Sequence, residues 1–445
     1  MAIQAAAVAV AQLMQGAGAA APAAAAATAA AALRGAPLLA ALFPPSAAAY
    51  STAAAPAPPV GAAAACGDTA PLLSYEETYI DARTLTAVDP PPAEAAAGGR
   101  GPLTAVFLHG LLGSGKNWRS FSKGLAVQAA RETRRDVRSL LVDLRAHGRS
   151  SEVPGLHPPH TIEAAGADVV RTLRAALGGA PHVLVGLSLG GKVALDVLGQ
   201  LEREQRAHCG GGGAAAAGSK LGAGVPAAAA AGGAAAAPGA AAAGGAPPPQ
   251  EPPGAAHRAL PLHCWVLDSQ PGAVRSEEDS PTSVARILAL VARTPMPLPS
   301  RQALLEALDA EGLPRAVAWW LSSGLVPAAP GAAAGAVRWG FDAAGAAALY
   351  HSYRHACYWS ALERPPPGVT LHVVRGQRSD RWTPEMLARL EAARAAWQAA
   401  EVREGDGVGR LRLHVLPNAG HWLQADNPQG LQAMMVPWFR DEPGV

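Results

Sequence analysis

Charge is thin in this chain, and in two long stretches it nearly vanishes. Only 16% of the residues are Asp, Glu, Lys or Arg, and the formal net charge is +2. The basic residues are scattered rather than clustered, which leaves no electrostatic footprint for a nucleic acid. Residues 1–71 carry Arg34 and Asp68 as their only charged side chains, and residues 209–257 carry only Lys220 and Glu251. Both stretches are alanine with glycine and proline. They lack the large apolar side chains whose burial would offset the ordering cost of a packed core. Cysteine is also scarce: Cys66, Cys209, Cys264 and Cys357 show no C-x-x-C spacing. A disulfide framework or a zinc site is therefore not expected, and a reducing compartment is.

Strongly apolar long runs are missing too. The first 33 residues are apolar in sum, but they are mostly alanine and glycine with Pro22 among them, too weak for a transmembrane helix. A long, alanine-rich, nearly acid-free N-terminus with sparse arginine and some hydroxyl residues fits an organelle transit peptide, although it is poor in Arg and Ser for that type. Residues 1–71 are accordingly expected to be a disordered targeting segment. The chloroplast is the expected destination and the mitochondrion the alternative.

What remains suits one large α/β domain. From about residue 73, apolar runs of strand length alternate with segments of helical periodicity. The runs are TAVFLHG (104–110), SLLVDLR (139–145), HVLVGLS (182–188), HCWVLDS (263–269), VTLHVVRG (369–376) and LRLHVLPNAG (411–420). Between or after them lie FSKGLAVQAARE, IEAAGADVVRTLRAAL with Ala165, Val169, Leu173 and Leu177 on one face, EMLARLEAARAAWQAA and a closing GLQAMMVPWF. This alternation implies a mostly parallel sheet with helices on both faces. The rhythm breaks over 274–363, which is helical, rich in tryptophan (Trp319, Trp320, Trp339, Trp359) and without a clear strand, as a cap inserted after one strand would be. The expected divisions are 72–208 for the first part of the core and 209–257 for a disordered Ala/Gly/Pro insertion. A core strand region over 258–273, the cap over 274–363 and the second part of the core over 364–445 complete them.

One stretch reads as chemistry. In VLVGLSLGGKVALDVL (183–198) an apolar strand turns into a helix with Ser188 at the joint, between Gly186 and Gly190. Glycines there let neighbouring backbone approach without a Cβ clash. The turn pushes the serine out above the sheet at a helix N-terminus, where negative charge is favoured. Sites on such sheets gather at the carboxyl ends of the strands. Those ends carry HGLLGS, DLRAHGRSS, GLSLGG, DSQPG, RGQRSDRW and PNAGHW, so that a serine, then aspartates, then a histidine follow in order.

This pattern resembles the α/β-hydrolase superfamily, whose fold is implied for nearly all of 73–445 apart from the low-complexity gap. HGLLGSGKNW, VDLRAHGRS and SLGGK look like the small-esterase branch of the α/β-hydrolase-domain proteins. WVLDSQPG, SYRHACYWSALE and RSDRW…HVLPNAGHW look like its plant and algal members. The resemblance implies Ser188 as nucleophile, His421 as general base, and Asp380 as the acid that fixes the imidazole. Asp268, which follows the strand after the elbow, is the alternative acid, and Ser379 beside Asp380 keeps that option open. The oxyanion donors are expected to be the backbone N–H groups of Leu111 and Leu189.

Other groups have plainer expectations: His109 and His147 shape loops, Asp143 ties its loop to Arg145, and Lys192 is solvated or pairs with a loop. The implied activity is hydrolysis of a carboxylic ester, acyl or lipid-like, on a small-molecule substrate, with no cofactor and no metal. An acyltransferase or lyase on the same scaffold, or a catalytically silent ligand receptor, is the alternative. A haloalkane or epoxide hydrolase is disfavoured because position 188 is not aspartate.

Overall fold

The computed structural model describes residues 70–90, 101–210, 258–274, 283–404 and 409–439. The expected transit segment (except its last two residues) and nearly all of the expected 209–257 insertion lie outside them. The strands are β1 (Tyr75–Ile80), β2 (Ala87–Val88), β3 (Leu103–Leu108), β4 (Val137–Val142), β5 (Val183–Leu187), β6 (His263–Leu267), β7 (Leu325–Pro327), β8 (Val337–Trp339), β9 (Thr370–Gly376) and β10 (Arg410–Leu416). The helices are α1 (Arg119–Thr133), α2 (Ile162–Leu177), α3 (Leu189–Gly210), α4 (Val284–Arg293), α5 (Arg301–Ala310), α6 (Arg315–Ser323), α7 (Ala343–His355), α8 (Trp359–Glu363), α9 (Pro384–Glu404), α10 (Leu423–Asp426) and α11 (Pro428–Met435).

Eight strands form one sheet in the order β10-β9-β6-β5-β3-β4-β1-β2. The six from β10 to β4 are parallel, and β1 and β2 add an antiparallel edge. Strand side chains alternate between two cores, as a period of two requires. Val106, Leu108, Leu140 and Leu184 face α2, α3 and α9. Ala105, Phe107, Leu141 and Val185 face α1 and α11. Both faces are covered, which is why these strands read as continuous apolar runs. Helix α2 keeps its expected bounds. The Thr161 side chain accepts from Ala164 N–H at its start, Gly178 ends it at φ 73°, and Ile162, Ala165, Val169 and Leu173 are buried.

Two elements depart from expectation. Strand β1, YEETYI, next to the edge, has no apolar run, because Glu76 and Glu77 face Arg119 and Arg138 at 2.5 and 2.8 Å. The region expected to be a strandless cap contains the antiparallel pair β7–β8, with Leu325 opposite Trp339 and Pro327 opposite Val337. Strands of three residues are too short to show a period. Around that pair, α4, α5 and α6 pack a separate core of Ile287, Leu304, Leu321, Trp339 and Phe341, which also takes in Leu112 from the main body. No helix among the described residues is long and apolar enough to cross a membrane.

Register sets the geography of the site. Leu108 pairs with Val142 and with Gly186, Gly186 with Val266, Leu267 with Val374, and Gly376 with Leu416. The carboxyl ends of β3, β4, β5, β6, β9 and β10 therefore lie along one edge. The chain leaves β3 toward β4 and then crosses to β5 on the other side, so the topological switch lies beside β3, where open α/β sheets bind ligands.

Candidate active site

Backbone strain marks this edge. Leu112, Ala146, Ser188, Asp268 and Asn418 have φ of 57°, 61°, 52°, 42° and 55°, and each follows a different strand of the sheet. A left-handed non-glycine residue costs about 1–3 kcal/mol and persists only where its surroundings hold it. Five at one edge of one sheet point to a functional site.

Ser188 sits in the turn between β5 and α3. Its amide donates to Leu267 O at 2.9 Å, and its carbonyl accepts from Gly191 N–H at 2.9 Å, starting the helix. A side chain on Gly186 would collide with the Gly190 carbonyl, and a Cβ on Gly190 would come within 2.5 Å of Leu108 O and 2.7 Å of His109 O. The two glycines are thus required by backbone approach, and the turn between them leaves Ser188 only half-buried. The loop after β3 lies against the serine: a Cβ on Gly110 would stand 3.6 Å from Ser188 Cβ. Leu111 follows in that loop and Leu189 opens α3, so both expected oxyanion donors lie on segments next to the serine.

His421 Nδ1 is 2.7 Å from Asp268 Oδ2. An ionised carboxylate only accepts, so Nδ1 carries the proton and Nε2 keeps the lone pair that a base needs. Asp268 is buried yet fully partnered. Oδ2 also accepts from Ser379 Oγ at 2.8 Å, and Oδ1 accepts from Trp382 Nε1 at 2.8 Å and Gly376 N–H at 3.2 Å. Burial works to raise the Asp268 pKa, but the bonds from His421, Trp382 and Ser379 outweigh it and hold the carboxylate below its ordinary value. For His421, burial and the nearby Arg381 lower the pKa and the two carboxylates, Asp268 and Asp380, oppose them, with a net downward shift. The imidazole is therefore neutral at neutral pH.

The expectation that Asp380 holds His421 does not stand in this geometry. Asp380 is exposed on the loop after β9, and its neighbour Ser379 turns inward to Asp268. The left-handed turn at Asp268 aims that carboxylate across β9 toward the His421 loop, which leaves Asp380 a through-space influence. Trp382, to which no sequence pattern points, joins His421 and Ser379 as the third side-chain donor to Asp268. The loop bearing His421 is itself tied down, since Gly420 N–H donates to Asp426 Oδ2 at 2.8 Å and Arg378 N–H to Ala419 O at 2.8 Å.

The remaining singled-out residues are structural in their contacts. Asp143 is buried and accepts from the backbone N–H groups of Gly115 at 2.7 Å and Arg149 at 2.9 Å. Its expected partner Arg145 pairs instead with Asp168 at 2.6 Å. Lys192 is fully buried and donates to the carbonyls of Gly272, Tyr353 and Ala356 at 2.8, 2.5 and 2.9 Å, stitching the loop after β6 to the end of α7. No group of three or more His, Cys, Asp or Glu among the described residues is arranged to hold a metal ion.

A strained serine between two sterically required glycines, on the same sheet edge as a histidine–carboxylate pair, defines the class of the α/β-hydrolases. A family model for the alpha/beta hydrolase fold matches residues 106–207, the segment from β3 through α3. The sheet order and this match show an α/β-hydrolase fold, the matched segment carrying the Ser188 turn. Relatives of the chain include the sn-1-specific diacylglycerol lipase ABHD11 of Mus musculus, 40% identical over 90 residues, which are 20% of this chain and 26% of that protein. The ABHD11 lipase of Danio rerio is 38% identical over 102 residues, 22% of this chain and 27% of that protein. The matched stretch thus spans about a quarter of these curated relatives. Among solved structures, a marine microorganism esterase superposes with a TM-score of 0.49 at 16% identity, over 83% of this chain and 100% of that one.

Proposed function

We propose that the chain is a serine hydrolase that cleaves a carboxylic ester of an acyl or lipid-like compound, with Ser188, His421 and Asp268 as its triad. The observation that carries this reading is the 2.7 Å His421–Asp268 bond on the same sheet edge as a serine with φ 52°. Ser188 Oγ attacks the ester carbonyl while His421 Nε2 takes its proton. The tetrahedral oxyanion is held by the N–H groups of Leu111 and Leu189. Asp268 fixes the tautomer and stabilises the imidazolium, which then protonates the leaving alcohol. Water, activated by the same imidazole, releases the acid from the acyl-enzyme.

The activity in the names of the Mus musculus and Danio rerio relatives makes a diacylglycerol the first substrate to try. Residues 1–71, in this reading, carry the chain into the chloroplast. The test of function is labelling by a fluorophosphonate probe followed by turnover of an acyl-chain series. Wild type should label and hydrolyse, and Ser188→Ala should do neither while keeping its melting temperature. Unchanged turnover in folded Ser188→Ala would overturn the proposal.

A further inference from the structure

We infer that His147 is a positioning residue that makes the seating of the cap part of the oxyanion loop's geometry; this rests on the serine-hydrolase reading. The loop after β3 carries Leu111, and the next residue, Leu112, holds a left-handed φ of 57°. Two contacts hold it there. Leu112 N–H donates to His147 Nε2 at 3.0 Å, and its side chain is buried in the core of the cap.

The same imidazole is held from the other side. A backbone N–H can only donate, so Nε2 accepts and the ring proton sits on Nδ1, which donates to Arg145 O at 2.9 Å. His147 forms an isolated antiparallel bridge with Phe341 of the cap, and their rings lie 6.3 Å apart. Asp342 N–H donates to Ala146 O at 2.8 Å, and the Asp342 side chain caps α7 by accepting from Ala344 N–H at 3.0 Å. The cap thus grips the segment that carries His147, and His147 grips the residue after the Leu111 donor.

The arrangement is reciprocal. His109, on the oxyanion loop, accepts from Leu144 N–H on the neighbouring loop at 3.0 Å, and its Nδ1 is 2.7 Å from Gly110 O. The His109 and His147 rings lie 5.1 Å apart. Burial pushes their pKa values down to about 4 and about 3, and the neutral state is the one that accepts.

A donor must meet the oxyanion within a few tenths of an ångström, and an error of about 1 Å costs on the order of 10²-fold in rate. Binding energy from a part of the substrate that engages the cap would then be spent on kcat rather than on KM alone.

The experiment compares kcat and KM of wild type, His147→Leu, His147→Gln and Phe341→Ala on a short and a long p-nitrophenyl ester, with melting temperatures alongside. His147→Leu removes the acceptor and should lower kcat by about 10–100-fold, with KM within about twofold. His147→Gln, which offers an amide oxygen to Leu112 N–H, should recover most of that loss. Phe341→Ala, a cap change away from the serine, should lower kcat on the long ester and narrow the difference between the two esters. Wild-type kcat in folded His147→Leu, or an equal loss in the leucine and glutamine variants, overturns the inference while leaving the hydrolase reading intact. If His147→Leu does not fold, an unchanged kcat in Phe341→Ala overturns it instead. A wild-type chain that neither labels with fluorophosphonate nor hydrolyses overturns both.

Discussion

His421 and Asp268 are 153 positions apart in the chain, yet Nδ1 of one lies 2.7 Å from Oδ2 of the other. The contact exists because β6 and β10 flank β9, so that the loops leaving them meet above its end. Asp268 receives three further donors, from Ser379, Trp382 and Gly376, which fix the carboxylate before any substrate arrives. Preorganisation of that kind is what a triad acid needs, because its work is to hold one tautomer.

The first prediction ranks the two acids. Asp268→Asn keeps the shape but favours the wrong imidazole tautomer, and should lower kcat by about 10⁴-fold, as the equivalent change does in a serine protease triad. Asp380→Asn, at an exposed position, should change kcat/KM by less than about threefold, through a surface-charge effect alone. Steady-state kinetics of both variants and the double mutant decide it. A larger loss from Asp380→Asn would restore the acid expected from the sequence.

How much of this was legible before folding depends on the range of the interaction. The strand ends, the Ser188 elbow and the His421 loop follow from apolar runs and local spacing, and the structure has those runs as strands. Strand β1 was hidden because its glutamates face arginines from α1 and β4. The choice of acid was open because Asp268 and Asp380 both follow strands. It turns on the direction of one side chain, set by φ 42° at Asp268 and by donors from another loop. The bond from Leu112 to His147 crosses 35 positions between two loops, and no local pattern encodes it.

The second prediction concerns pH. Burial and Arg381 lower the His421 pKa, and Asp268 opposes them. A general base works when neutral, so kcat/KM should rise with pH and reach half its maximum below the ordinary histidine value of about 6.5. Removing the opposing carboxylate in Asp268→Asn should shift that midpoint further toward acid while the plateau falls. Moving the midpoint upward instead would contradict the balance of forces around the ring. A pH profile of kcat/KM for wild type and variant, at constant ionic strength, reads both.

The third prediction is about packing at the elbow. Gly190→Ala would place a Cβ within 2.5 Å of Leu108 O and 2.7 Å of His109 O, so β3 or the start of α3 must move. Overpacking of this kind costs about 1–3 kcal/mol. The melting temperature should fall by several degrees and fluorophosphonate labelling should be lost. Gly101→Ala, with nothing within 4 Å of the added carbon, is the control and should melt with wild type. Equal melting temperatures for the two variants would mean that the elbow is looser than its geometry requires.

The last prediction tests the N-terminal segment. Residues 1–71 have one acidic and one basic side chain and are mostly alanine, proline and glycine. A receptor-read address needs no stable fold, and that is the role proposed for them. Fused ahead of a fluorescent protein in a green algal or plant cell, they should carry it into the chloroplast, and the imported reporter should be shorter than the fusion on a gel. The rest of the chain, without them, should stay outside the organelle yet keep full labelling of Ser188, because the described sheet begins at Tyr75. Mitochondrial fluorescence would move the destination and keep the targeting role. Diffuse cytosolic fluorescence from a full-length fusion would end it.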